Sequence, residues 1–99
     1  PPLMQNLVAI SAMGANRAGL IEPIVRAIRE CGCAIAESRT AVMGDRFAMM
    51  ALLSGTWDAI AKIESVLQRL AQELDITITC QRATSRKPAH NLMPYAVEV

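Results

Sequence analysis

The chain has 99 residues and a formal net charge of +1, from ten basic and nine acidic side chains. A chain of this length fits one domain, and its nearly balanced charge excludes the strong positive field that holds nucleic acid, so we expect no direct contact with DNA or RNA. Hydrophobic residues make up 53% of the chain without a run of about 18 apolar residues, which excludes a membrane-spanning helix and predicts a well-filled core or an apolar surface for a partner.

The first predicted strand is the apolar run Leu7–Ala12, and a helix is predicted after the loop that follows it. Apolar residues recur in that helix at spacings of three and four, so that they lie on one face. These residues are Leu20, Ile24, Ala27, Ile28 and Cys31. Gly32 follows the last turn, where a residue in the left-handed conformation commonly ends a helix.

Pro23 leaves the start of this helix open between two positions. If Asn16 is the N-cap, Pro23 lies beyond the first turn and the Gly19 carbonyl loses its usual hydrogen bond. If the regular helix begins near Leu20, Pro23 lies in the first turn, where proline is tolerated. The sequence therefore predicts an irregular helix start rather than a broken helix.

Two apolar-rich runs, Ala34–Met43 and Arg46–Ser54, flank the dipeptide Gly44-Asp45. This pattern predicts a β-hairpin, because glycine supplies the positive φ that a two-residue turn requires. The second run is almost entirely apolar, which is typical of a central strand, and the first carries polar residues that suit an edge strand. Those polar residues are Glu37, Ser38 and Arg39.

A second helix is predicted after Thr56, which can cap it, with Asp58 in the first turn where its charge complements the helix dipole. Its apolar residues alternate at spacings of three and four. They are Ile60, Ile63, Leu67, Leu70 and Leu74. The segment Ile76–Gln81 then alternates strictly and predicts a strand with one wet face, and Tyr95–Val99 reads as the start of a further strand.

The order of elements predicts an α+β, ferredoxin-like βαββαβ fold. Its four-stranded antiparallel sheet has the order 4-1-3-2, and right-handed crossovers place both helices on one face. The other face is uncovered but lies on apolar central strands, so we expect a partner there, either another copy or a second domain. The residues expected on it are Met49 or Met50, Ala48 or Ala51, and Leu7 or Val8.

No set of side chains in the sequence indicates catalysis. His90 is the one histidine, so no Ser-His-Asp or Cys-His set can be assembled around the core. The spacing of the cysteines and acids matches no metal site, and Gly14 and Gly19 do not match the dinucleotide motif GxGxxG, so we expect no enzyme, metal or cofactor. The odd number of cysteines favours free thiols in a cytoplasmic protein, and no export signal is seen. These cysteines are Cys31, Cys33 and Cys80.

The loop from Gly14 to Leu20 is the one candidate for a ligand site. It leads from a strand to the N-terminus of a helix, where free backbone amides and the helix dipole suit a carboxylate. Its glycines allow close approach of the backbone, and Asn16 adds a side-chain donor and acceptor. An ordinary strand also meets an ordinary helix through a glycine turn and an asparagine cap, and the residues alone favour that simpler interpretation.

The segment Asn16-Arg17-Ala18-Gly19-Leu20, with Gly32 leading into Ile35, resembles the ACT domain, whose signature here is Asp/Asn-Arg-Pro-Gly-Leu. Two positions depart from the family pattern: Ala18 replaces the proline, and Ala34 stands where amino-acid-binding members often carry asparagine. The resemblance implies the βαββαβ fold, pairing of domains, and a small amino acid bound near this loop. The ligand-binding residues that it implies are Gly14, Asn16, Arg17, Gly19, Leu20 and Ile21.

The hairpin residues Glu37-Ser38-Arg39 and Met43–Met49, followed by Leu53-Ser54-Gly55, are similar to one branch of the family, the transcriptional repressors with tandem ACT domains. The resemblance places one ACT domain at 4–84, and a linker with the first strand of a second at 85–99. It implies regulation through contact with a transcriptional activator, without direct DNA binding, in response to glycine. Two alternatives stay open: an amino-acid-sensing domain of a metabolic enzyme, and a purely structural dimerisation module.

Overall fold

The computed structural model describes residues 6–83, which form the predicted βαββαβ fold. The elements are β1 (Asn6–Ala15), α1 (Ile21–Glu30), β2 (Ala34–Met43), β3 (Arg46–Gly55), α2 (Trp57–Leu74) and β4 (Thr77–Ala83). The strands form one antiparallel sheet in the order β2-β3-β1-β4, so the predicted order is confirmed. Within 6–83, no helix is long and apolar enough to cross a membrane. The predicted strand Tyr95–Val99 lies outside the described residues, so the second domain stays a prediction.

The core lies between the two helices and one face of the sheet. Successive side chains of a strand point to opposite faces, and in the two central strands every second side chain is buried against the helices. From β1 these are Val8, Ile10 and Ala12, and from β3 they are Phe47, Met49, Ala51 and Leu53. The helices contribute Ile24, Ala27 and Ile28 from α1, and Ile60, Ile63 and Leu67 from α2. The predicted apolar helix faces are thus confirmed as core, except that Leu70 and Leu74 of α2 are only partly buried against it.

The start of α1 follows the second of the two predicted alternatives. The helix begins at Ile21 with Leu20 as its N-cap, so Pro23 lies in the first turn, where its missing N–H is tolerated. The interpretation of Asn16 as the N-cap is wrong, because it lies five residues before the first residue of the helix. Its backbone N–H donates to the carbonyl of Asp45, at 2.8 Å. The predicted helix end is confirmed, since Gly32 has a φ of +87°.

Both ends of α2 are capped. The Thr56 hydroxyl accepts a hydrogen bond from the N–H of Ala59 at 3.1 Å, which confirms the predicted cap. At the other end Asp75 adopts the left-handed conformation, with a φ of 58°. The N–H groups of Asp75 and Ile76 then donate back to the carbonyls of Gln72 and Ala71, which forms a Schellman motif. This motif turns the chain directly into β4.

The strand β1 is longer than predicted and takes in part of the expected loop. Antiparallel pairing with β3 continues through Gly14 opposite Phe47 and Ala15 opposite Arg46. Gly14 is therefore a strand residue, and the loop proper covers 16–20. Sequence alone extended the loop to Gly14 because glycine is rare in strands, but here the pairing with the hairpin outweighs that preference.

A charged clamp joins α2 to β4. Arg82 donates two hydrogen bonds to the carboxylate of Glu64, at 2.9 and 2.8 Å, and its guanidinium lies 4.4 Å from the centre of the Trp57 ring. These hydrogen bonds hold the pKa of Glu64 below its ordinary value. The stabilisation that the pair provides is thus present above the ordinary pKa of 4.5 and is lost as the pH falls through the lower folded-state pKa.

Glu64→Gln is expected to make the stability of the domain less dependent on pH. The variant lacks the carboxylate whose pKa differs between the folded and unfolded states, so its free energy of unfolding should fall less steeply than that of the wild type as the pH drops below 4.5. Urea unfolding at several pH values measures this. Glu73→Gln is a matched control because Arg69 lies 3.9 Å from it in an exposed pair. If the free energy of unfolding fell equally steeply with decreasing pH in the wild type and in Glu64→Gln, the expectation would be contradicted.

Candidate functional site

A cleft of about 510 Å³ opens where the loop at 16–20 meets the hairpin. Its walls are the loop, the first turn of α1 and the end of β2 that precedes the hairpin turn. The lining residues are Asn16, Arg17, Ala18, Gly19, Leu20, Ile21, Glu22, Thr40, Ala41, Val42 and Phe47. The cleft therefore lies next to the N-terminus of α1, on the segment that the sequence singled out.

The structure brings five of the six predicted ligand-binding residues to this cleft. These are Asn16, Arg17, Gly19, Leu20 and Ile21. Gly14 does not line the cleft, and its contact with a ligand stays a prediction. A Cβ at Gly14 would lie 2.7 Å from Cγ2 of Ile76, and the glycine is therefore required for close packing against the start of β4.

Sequence reasoning missed the wall that the hairpin contributes. Val42 pairs with Phe47 across the two strands, and the Val42 side chain is 56% exposed beside the cleft. The hydrogen bond from the Asn16 N–H to the Asp45 carbonyl holds the loop against the turn of this hairpin. The signal that could have located this wall was the Gly44-Asp45 turn, because a hairpin turn sets the pairing register of its strands.

The polar groups of the cleft are mostly backbone amides. Leu20 caps α1 without a side-chain hydrogen bond, so its first turn offers N–H groups and the positive end of the helix dipole. The carboxylate of Glu22 is paired with Arg26 at 3.0 Å. Gly19 has a φ of +84°, which glycine adopts without strain. The arrangement can hold a small anion such as a carboxylate, with its carbon atoms against Val42 and Phe47.

The cysteines pack in the fold as small apolar side chains do. Cys31 and Cys33 are buried, and all three cysteines are free thiols. Burial, and secondarily the neighbouring Cys31, raises the pKa of Cys33, and burial raises the pKa of Cys80, so both stay protonated and weakly reactive at neutral pH. In the described part of the chain, no three potential ligands lie close enough together to hold a metal ion.

Comparison with known proteins agrees with this fold and with the branch that the hairpin residues indicate. The glycine cleavage system transcriptional repressor of Escherichia coli strain K12 is 44% identical over 82 residues, and the match covers 83% of this chain and 43% of that protein. The repressor of Shigella flexneri matches to the same extent. The chain thus spans less than half the length of these curated relatives.

Solved structures show the same architecture. A crystal structure assigned to a glycine cleavage system transcriptional repressor superimposes with a TM-score of 0.82 at 29% identity, covering 88% of this chain and 51% of that one. An ACT domain protein from Streptococcus pneumoniae has a TM-score of 0.70 at 22% identity, over 78% of this chain and 89% of that one, and supports the fold alone. The ACT domain family model matches residues 6–81. The chain belongs to the ACT domain family.

Proposed function

We propose that this ACT domain is a regulatory module of a glycine cleavage system transcriptional repressor, and that it acts through contact with protein rather than with DNA. Its similarity to the repressors of E. coli and S. flexneri supports the regulatory role. The observation that carries the mode of action is the apolar sheet face opposite the helices, here termed the open face. In this proposal the domain reaches transcription through an activator protein, as the resemblance to tandem-ACT repressors implies.

The open face has an apolar centre and a polar border. Its centre is formed by alternate side chains of β1 and β3, of which Met13 is 55% and Met50 60% exposed. The other apolar members are Leu7, Ala9, Ala48 and Leu52. Strands β2 and β4 provide the border, with Glu37 opposite Leu52 and Thr79 opposite Ser11. An apolar centre within a polar rim is the usual anatomy of a protein interface.

The proposed occupant of the open face is a second ACT domain. The relatives are more than twice as long as the matched segment, which leaves room for another domain of this size. A second sheet would bury the exposed methionines, whose removal from water contributes about 25 cal/mol per Å² of apolar area. In the isolated chain, the available partner for this face is another copy of the same domain.

The distribution of charge supports the proposal that DNA is not contacted. Four arginines of the described segment are paired with acids on the same surface, at nitrogen–oxygen distances from 2.8 to 3.9 Å. They are Arg26, Arg39, Arg69 and Arg82. The net charge of the whole chain is +1, which gives little of the long-range positive field that holds nucleic acid.

Met50→Lys is expected to weaken self-association of the 99-residue chain by about tenfold or more, because a lysine at the centre of the open face would have to be desolvated on pairing. Sedimentation equilibrium at micromolar to high micromolar concentration measures the change. Ala61→Lys, which adds the same charge on the exposed surface of α2, is the control and should associate like the wild type. A wild-type chain that stays monomeric at high micromolar concentration would refute pairing through this face.

The cleft is proposed to hold a small amino acid, with glycine as the first candidate. The support is the set of uncapped amides at α1 and the side chain of Asn16 beside them. Asn16→Ala should weaken glycine binding about fivefold, the effect of one lost hydrogen bond. Titration calorimetry measures this, with Asn6→Ala at the other end of β1 as the control. If Asn16→Ala bound glycine as tightly as the wild type, the binding site would not include Asn16. If the wild type bound no glycine, this part of the proposal would be refuted.

A further inference from the structure

Arg17 lines the cleft, but its guanidinium is held by a different part of the fold. It donates a hydrogen bond to the backbone carbonyl of Leu74, the last residue of α2, which lies 57 positions further along the chain. The side chain therefore connects the cleft loop to the junction between α2 and β4, which we term the α2–β4 junction and define as Leu74–Ile76.

The end of α2 is suited to this contact. The last turn of α2 contains no basic residue, although a positive charge there would be favoured by the helix dipole. The N–H groups of the Schellman motif donate hydrogen bonds to the carbonyls of Ala71 and Gln72. The guanidinium of Arg17 donates to the carbonyl of Leu74. Arg17 thus supplies from the loop the cation that the helix itself lacks.

Two further contacts hold the same loop. Two residues before the loop, the chain packs closely against the junction, because Gly14 lies against the side chain of Ile76. On the other side, the N–H of Asn16 is bonded to the carbonyl of Asp45 in the hairpin turn. Ala18 and Gly19 lie beyond these anchors and are exposed. The position of the loop is therefore set jointly by the hairpin and the α2–β4 junction.

We propose that Arg17 is a positioning residue that couples the cleft loop to the α2–β4 junction. The junction leads directly into β4, whose last described residue, Ala83, precedes the remainder of the chain. A change in the loop is thereby transmitted to β4, and a change in β4 to the loop. The coupling is a property of the unliganded domain, and it rests on the proposed function only for its use in regulation.

The test is amide hydrogen exchange, followed by NMR, in the 99-residue chain without ligand. Arg17→Met keeps the length and apolar part of the side chain but removes its donors. This variant should accelerate exchange about fivefold at the N–H groups of Asn16, Asp75 and Ile76. The change corresponds to a decrease of roughly 1 kcal/mol in the free energy of local opening. Amides at the centre of β3 should not change, which separates local coupling from a loss of global stability.

Two further variants complete the experiment. Arg17→Lys should restore most of the protection at both places, because an ammonium group also donates to a helix-terminal carbonyl. Arg29→Met, in the last turn of α1, is the matched control and should leave all three amides unchanged. The proposal is overturned if Arg17→Met affects the amide on only one side, on neither side, or if β3 changes equally. No ligand is added, so these outcomes are independent of glycine binding. All the variants leave the side chains of the open face unchanged, so any pairing through that face is the same in the wild type and in the variants.

Discussion

Replacing Leu67 with alanine is expected to destabilise the domain by about 2–5 kcal/mol, the largest effect of any single change considered for this chain. Leu67 is fully buried between α2 and the sheet, with Ile60 and Ile63 on the same helix face. The loss combines the transfer free energy of the deleted atoms with the cavity that they leave. A 99-residue chain is expected to have a modest total free energy of unfolding, so a loss of this size removes a large fraction of it.

Urea unfolding followed by circular dichroism measures the effect of Leu67→Ala. The urea concentration at the midpoint of unfolding should fall. The slope of the unfolding free energy against urea concentration should stay constant, because the surface exposed on unfolding changes little. Leu67→Met, which conserves volume, should cost less than about 1.5 kcal/mol. Lys62→Ala, on the exposed side of the same helix, should leave the midpoint nearly unchanged. A loss below about 1 kcal/mol for Leu67→Ala would show that the site collapses around the cavity, contrary to the expectation.

The elements that were predicted correctly are those specified by local signals. The hairpin depends on Gly44, whose φ is +59°, between two runs of β-forming residues. The helix α2 depends on the cap at Thr56 and on apolar residues at helical spacing. Each of these signals lies within a few residues of the structure that it specifies. The predicted topology then follows, because few arrangements of two βαβ units are compatible with right-handed crossovers.

The face on which a central-strand residue lies could not be decided from sequence. Because almost all of β3 is apolar, either alternate set of its side chains could have been buried, and a shift of one residue exchanges the two. The structure places Met49 in the core at 2% exposure and Met50 on the open face at 60%. The pairing of Phe47 with Gly14 in β1 is one of the long-range contacts that fix this choice.

The sequence predicted only the wall of the cleft that one contiguous segment, the loop, forms. Asn16 and Arg17 are adjacent and belong to a recognisable motif, whereas Val42 and Phe47 reach the cleft through strand pairing. The contact between Arg17 and Leu74 spans 57 residues and involves a backbone carbonyl, which carries no sequence signal. Sequence therefore identified the loop, but not the hairpin wall or the junction that holds the loop in place.

The core and the open face of this domain contain different kinds of apolar side chain. In the core, Ile10, Leu53 and Leu67 are fully buried, and their shapes must fit together. On the open face, Met13 and Met50 are exposed, and methionine is an unbranched side chain that can adapt to differently shaped surfaces. The high apolar content of the chain is thus divided between a packed interior and the surface proposed to pair with a second ACT domain.

Gly14→Ala is expected to cost about 1–3 kcal/mol, the usual range for inserting a methyl group into a packed region. The added Cβ would lie 2.7 Å from Cγ2 of Ile76, closer than such atoms approach in folded proteins, and 3.1 Å from its Cβ, which is also a tight contact. Because the φ of Gly14 is not in the left-handed region, the expected cost is steric rather than conformational. Gly55→Ala is the control, since its nearest contact would be a Cβ at 3.2 Å, and it should cost less.

The double variant Gly14→Ala/Ile76→Ala tests that mechanism directly. Ile76→Ala removes Cγ2, so the added methyl group at position 14 meets only the Cβ and backbone of residue 76. The double variant should therefore be more stable than the sum of the two single losses predicts, by about 1 kcal/mol, as measured by urea unfolding in a double-mutant cycle. Strict additivity would mean that Gly14 is required for another reason. Rescue would establish that the glycine before the cleft loop serves the packing of β1 against the α2–β4 junction.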